Sequence, residues 1–134
     1  MKAITLSLAA LLTIAATAQD LPQPSPLGKV EQVVGLTNVS VTYSRPSVKG
    51  RTIFGELVPM DAVWRTGANK ATLFTTDGTI MIDGQKLEKG EYSLFTVPHQ
   101  EAWEIIFNKN TELWGEGDRK EEEDVLRVKA PTAK

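Results

Sequence analysis

The sequence predicts an all-β domain, an antiparallel β-sandwich or jelly-roll-like arrangement, behind a cleaved N-terminal signal peptide. Three observations carry this reading. Beyond Gly28 the apolar residues recur with a period of two, as Val39, Val41 and Tyr43 do against Ser40, Thr42 and Ser44, which is the pattern of a strand with one wet face. Glycine turns break the chain at close spacing, at Asp77-Gly78, Asp83-Gly84 and Lys89-Gly90, and such pairs favour hairpins because the primed turns need φ > 0. No segment carries a helical apolar stripe.

The first 18 residues stand apart from the fold. Met1-Lys2 gives a positive start, Ala3 to Ala16 is uncharged and mostly apolar, and Ala16-Thr17-Ala18 offers small side chains to a signal peptidase. That anatomy predicts a signal peptide over residues 1–18 and an exported protein, periplasmic or secreted. The apolar run is shorter than the ~20 residues that span a bilayer, so no transmembrane segment is expected after cleavage. The chain has no cysteine, which excludes disulfides, thiolate metal sites and cysteine-dependent hydrolases. An exported domain without covalent staples must rely on a dense apolar core.

Residues 19–27 hold Pro22, Pro24 and Pro26. Fixed φ and missing donors predict an extended arm, either a spacer or a recognition peptide for an aromatic groove. A single β domain is expected over residues 28–129. Its strands begin with Val39–Ser44 and continue with Lys70–Thr76, which carries Leu73 and Phe74. Thr79–Ile82 and Gln85–Leu87 flank Asp83-Gly84. Glu91–Val97 puts Tyr92 and Leu94 on one face and Phe95 and Val97 on the other, and Pro98 closes it. Trp103, Ile105 and Phe107 then alternate with Glu104 and Ile106. Val125–Lys129 is the last strand, and residues 130–134 read as a disordered tail. Met60–Trp64 could form one helical turn with Asp61 as its cap. All nine aromatic residues fall between positions 43 and 114, which places the core there because aromatic side chains bury the most area.

The net charge of −2 argues against nucleic acid, which needs a concentrated basic surface. This mild value is an average. Residues 45–70 hold five bases against Glu56 and Asp61, whereas residues 71–134 hold eight bases against thirteen acids. A guanidinium fork binds carboxylate, phosphate or sulfate bidentately, so Arg45, Arg51 and Arg65 point to anion recognition; each could equally pair with Glu56, Asp61 or Glu104. The segment Trp64-Arg65-Thr66-Gly67-Ala68-Asn69 joins a planar apolar face, a fork of donors, a flexible glycine and an amide. Those are the parts of a small-ligand or sugar site, and they are also the parts that could plug a sandwich end and satisfy loop carbonyls. The candidate ligand-binding set is Arg45, Arg51, Trp64, Arg65 and Asn69.

Catalytic constellations are scarce. His99 is the only histidine, and within Pro98-His99-Gln100-Glu101 it reads as a solvated hairpin residue. No HExxH, Gly-x-Ser-x-Gly or phosphate loop occurs, so no catalytic residue, metal set or cofactor is assigned. Asp118 to Asp124 reads as a solvated acidic loop. Asn38-Val39-Ser40 matches a glycosylation sequon at the start of a strand.

Tyr43-Ser44-Arg45-Pro46, Gly50-Arg51-Thr52-Ile53-Phe54-Gly55, the Trp64–Asn69 segment and Gly90-Glu91-Tyr92-Ser93-Leu94-Phe95-Thr96-Val97-Pro98 follow one another in a fixed order. Trp103, Asn108-Lys109, Trp114-Gly115 and Asp124-Val125-Leu126-Arg127-Val128 continue the series. This series resembles the domain of unknown function 2911 from about Pro24 to Val128. The resemblance implies an exported bacterial protein, typical of Gram-negative envelopes, with a β-rich domain and no assigned activity. It carries over no catalytic residue. Two departures stand out. Gly117-Asp118-Arg119-Lys120 stands where the family usually has an aromatic, and family members usually continue past the last strand, so a shortened member is expected.

The functional expectation is a non-catalytic domain that binds a small anionic or carbohydrate ligand, or a partner protein of the envelope, around Arg51, Trp64, Arg65 and Asn69. A carboxylate-dependent hydrolase in the same cleft is the alternative, and it needs two acids beside Trp64. A structural module that joins an envelope assembly through an exposed strand edge is the third reading.

Overall fold

Alternating side chains and glycine turns build eight strands in the computed structural model of the chain, which describes residues 21–132. The expected signal peptide lies outside the described residues. The strands are β1 (Leu27–Val34), β2 (Thr37–Ser44), β3 (Ala68–Thr76), β4 (Ile80–Ile82), β5 (Gln85–Leu87), β6 (Gly90–Pro98), β7 (Ala102–Asn108) and β8 (Asp124–Pro131). Six of them form one antiparallel sheet in the order β1-β2-β3-β6-β7-β8, and β4 pairs with β5 as a separate hairpin. The fold is all-β and antiparallel. Among the described residues the one helical element is a 3-10 turn, Glu121–Glu123, and no helix is long and apolar enough to cross a membrane.

The alternation inside β6 gives the sheet two buried faces. On one face Phe95 and Val97 pack with Ala71 of β3 and Ile106 of β7, beneath Val63 and Leu113 from the long loops. On the other, Tyr92 and Leu94 pack with Phe74, Phe107, Leu126 and Val128, beneath Ile80, Ile82 and Leu87 of the β4–β5 hairpin. A sheet covered on both sides must be apolar on both, and its central strands are. The aromatics divide more finely than their sequence range indicates. Phe95 is fully buried, whereas Phe54 and Trp114 are 50% and 63% exposed.

The turns also divide. Asp83 and Gly84 have φ of 48° and 72°, the consecutive left-handed pair of a tight hairpin between β4 and β5. Asp77-Gly78 carries the same hairpin signal between β3 and β4, but β4 turns away to pair with β5. Gly78 serves close approach instead, since a Cβ there would lie 2.8 Å from Thr37 Oγ1. The first strand, β1, is registered Leu27↔Ser44 through Val34↔Thr37 against β2, so pairing begins one residue before the expected domain start. At the other end Ala130 and Pro131 still pair with Trp103 and Ala102, and the Thr132 N–H donates to the Glu101 carbonyl at 3.1 Å.

The acidic run is not simply a solvated loop. Asn108, fully buried at the end of β7, donates from Nδ2 to the Lys120 carbonyl at 3.0 Å and to Asp124 Oδ1 at 2.8 Å. Its own Oδ1 accepts from the Asn110 N–H at 2.9 Å. Arg119 folds under this clamp with its side chain 5% exposed, paired to Asp124 and set 5.8 Å above the Phe95 ring centre.

Asp77 ties the β1–β2 hairpin to the end of β3. The Asn38 N–H donates to Oδ1 at 2.8 Å and Asn38 Nδ2 to Oδ2 at 2.6 Å. These two bonds, the side-chain one foremost, hold the Asp77 carboxyl below its ordinary value. A depressed carboxyl contributes stability that is complete above about pH 4 and is lost as pH falls through the folded-state value. Melting temperature followed from neutral pH into acid should therefore drop further for the wild type than for Asn38→Ala, with the two curves converging at low pH. Parallel curves would remove this pair as a cause of acid sensitivity.

Candidate functional site

Residues 45–67, between β2 and β3, build the most developed surface feature. Lys49 and Gly50 take φ of 50° and 69°, turning the chain so that the Arg51 N–H reaches the Val48 carbonyl at 3.1 Å. Arg51 then folds its guanidinium back on this turn, Nε donating to the Val48 carbonyl at 3.0 Å and Nη2 to the Ser47 carbonyl at 2.6 Å. Further on, Trp64 docks on β6 beyond the end of the β3 pairing, through reciprocal bonds with Thr96 of 2.8 and 2.9 Å.

The turn after Trp64 is strained, and the sequence shows how it is held. Thr66 has φ of 59°, a costly position for a β-branched residue. Its hydroxyl meets Thr96 Oγ1 at 3.0 Å, and its carbonyl accepts from Thr72 Oγ1 at 3.0 Å. Gly67 follows because a Cβ would lie 3.1 Å from the Ser44 carbonyl oxygen and 3.2 Å from Thr72 Oγ1. Asn69 closes the turn at φ 59°, a conformation asparagine tolerates better than most residues.

These segments enclose a cleft of about 610 Å³. Pro46, Ile53, Leu57 and Val58 give it apolar walls, and Lys49, Arg51, Arg65 and Glu116 give it charge. Three cations thus face one carboxylate. Arg65 Nη1 lies 3.2 Å from Glu116 Oε2, with side-chain exposures of 31% and 46%, so this pair contributes at most about 1 kcal/mol. Arg65 Nε is buried and, among the described residues, has no hydrogen-bond partner. Trp64 also lines the cleft, and its ring packs edge-on against Phe54 and Trp103 at 6.1 and 6.4 Å between centroids.

A family model described as protein of unknown function DUF2911 matches residues 25–134. The chain belongs to that family. No curated protein and no solved structure matches it. The DUF2911 match takes in every strand and the whole 45–67 segment.

Of the five candidate residues in this DUF2911 chain, Arg51, Trp64 and Arg65 line the cleft. Arg45 and Asn69 lie outside its lining. The Arg45 side chain runs against Gly28, where a Cβ would come within 3.0 Å of its Cδ, and Asn69 Nδ2 donates to Ser44 Oγ at 3.4 Å. Lys49 and Glu116 join the cleft unforeseen. Lys49 lies in the basic segment, but nothing local to Glu116 foretells a partner 51 residues away. Glu116 is the one carboxylate among the described lining residues, so the paired acids that a hydrolase of this type needs are not gathered there.

His99 departs from the solvated reading. Its Nδ1 pairs with Asp61, and Nε2 lies 3.5 Å from Glu104 Oε1. Asp61, at φ 59°, is therefore a partner for the imidazole and not a helix cap. This line borders a second cleft of about 390 Å³ shared with Trp103 and Lys129. No serine, threonine or cysteine is among its described lining residues. Among the described residues no group of three or more histidine and carboxylate side chains is arranged to hold a metal ion.

Proposed function

We propose that this DUF2911 domain is an exported, non-catalytic binding domain whose 45–67 cleft takes a small anionic or sugar-like ligand. The observation that carries the reading is Arg65. Its side chain, 31% exposed, lines a cleft where three cations oppose one carboxylate beside a tryptophan. The exposed part of this side chain includes Nη1 beside Glu116, and a phosphate, sulfate or carboxylate oxygen would take charge-assisted hydrogen bonds from the guanidinium there. The strain at Thr66 supports the same place, since backbone outliers concentrate at working sites. Arg51, already committed to the Val48 and Ser47 carbonyls, acts mainly as a strut with charge to spare. The leader-like N-terminus supports export to the periplasm or beyond.

Calorimetric titration with glucose 6-phosphate and with glucose separates the anion from the sugar. Binding of the phosphate ester is expected to weaken at least tenfold in Arg65→Ala, because a charge-assisted hydrogen bond is worth about 1.5–3 kcal/mol. The melting temperature should barely move, since the lost ion pair is half-exposed. Equal affinity in wild type and variant, or no binding of either compound to the wild type, would overturn the proposal.

A further inference from the structure

The two edges of the six-stranded sheet are treated differently. On β8 the Arg127 carbonyl accepts from Gln85 Nε2 of the neighbouring hairpin at 3.4 Å, and Pro131 ends the strand. On β1 nothing among the described residues pairs with the outer side. That strand is also unusually apolar for an edge, with Leu27, Val30, Val33 and Val34 each more than half exposed. Edges are normally blunted by prolines, bulges, cover or charged side chains; β1 has an unbroken eight-residue register and carries, of these devices, only Lys29 and Glu31.

The ladder fixes which β1 groups remain free. The Pro26 carbonyl accepts from the Arg45 N–H, and hydrogen-bonding direction alternates along an antiparallel strand. The even residues of β1 therefore bond to β2, and Leu27, Lys29, Glu31 and Val33 turn their N–H and C=O outward. We propose that this edge pairs antiparallel with β1 of a second copy of the chain about a two-fold axis at Val30, joining two six-stranded sheets into one.

Every register centred on a residue of this run satisfies the alternation; among the three central ones, with the dyad at Lys29, Val30 or Glu31, charge selects. A dyad at Val30 sets Lys29 against Glu31 of the second copy, twice, and Leu27 against its Val33, twice. A dyad at Lys29 would oppose two lysines, and one at Glu31 would oppose two glutamates, both unfavourable directly across a ladder. With Val30 at the centre, Val30 meets Val30 on the other face. The strand is thus self-complementary in charge and in apolar surface, as a two-fold interface must be. Lys29 and Glu31 already lie 2.6 Å apart within one copy and are 53% and 69% exposed, so charge reversal there leaves the fold undisturbed.

Sedimentation velocity on the mature chain, run from about 5 to 500 µM, reads the assembly. The wild type should shift from monomer to dimer across this range. Lys29→Glu and Glu31→Lys should each stay monomeric, because each sets like charges across the dyad, and the doubly reversed chain should dimerise again. The absence of cysteine allows a second readout. Opposed residues at a non-hydrogen-bonded position have Cα atoms about 4.5 Å apart, within disulfide reach. Val30→Cys should therefore cross-link under mild oxidant while Val33→Cys, opposed by leucine, should not. A monomeric wild type at every concentration, single reversals that still dimerise, or equal cross-linking at both positions would overturn the proposal.

Discussion

Asp124→Ala is expected to destabilise the domain by about 3–5 kcal/mol, the usual consequence of leaving a buried charge without its partner. Asp124 accepts from Asn108 Nδ2 at 2.8 Å and from Arg119 Nε at 3.1 Å, and its second oxygen pairs with Arg119 Nη2. Removing the carboxylate strands a guanidinium whose side chain is 5% exposed while the loop above it remains closed. Against a total of about 5–15 kcal/mol for a typical domain, urea titration should show the midpoint collapsing. The diagnostic variant is the double replacement Asp124→Ala with Arg119→Leu. Removing both charges should recover much of the loss, because well-packed apolar replacements of buried pairs are often neutral. If the double variant is no better than the single one, the carboxylate matters through Asn108 and not through the arginine.

Phe95→Ala should cost a similar amount, about 3–5 kcal/mol, for a different reason. Phe95 is fully buried and packs with Val97, Ile106 and Leu113 at the middle of the sheet. The deletion leaves a cavity in a cluster of few members, and it removes the ring beneath Arg119. Calorimetric melting read beside Phe107→Ala, which empties the opposite face, tests whether the two faces carry comparable weight. A loss below about 1 kcal/mol for Phe95→Ala would show that the face relaxes to fill the space.

Much of this fold is legible in the sequence, and the failures share a cause. Strands β2, β3, β6 and β7 declare themselves because their alternation is set by burial on a sheet. Asp83-Gly84 declares its hairpin because a left-handed pair is a local requirement. By contrast, β1 has no buried face to impose a pattern, and Lys-Val-Glu-Gln-Val-Val reads weakly as a strand. Gly78 has a long-range reason, the approach of Thr37, that no neighbour reveals. The acidic run hides Arg119 among its charges because burial there depends on Asn108 and Asp124 closing from elsewhere. The candidate site is half legible on the same grounds. Trp64, Arg65 and Arg51 come from one continuous loop, while Glu116 and the Asp61–His99 pair depend on segments brought together from 51 and 38 residues apart.

The strand order has a kinetic side. In β1-β2-β3-β6-β7-β8 every neighbour is antiparallel and follows its predecessor along the chain, apart from the β4–β5 hairpin set aside between β3 and β6. No strand has to wait for a distant one to insert between two others. Loop closure is the main entropic barrier to pairing strands, and here it falls chiefly on the 45–67 segment. The cleft loop is therefore also the widest gap that a nascent sheet must bridge, so substitutions made there for binding act on the folding rate as well.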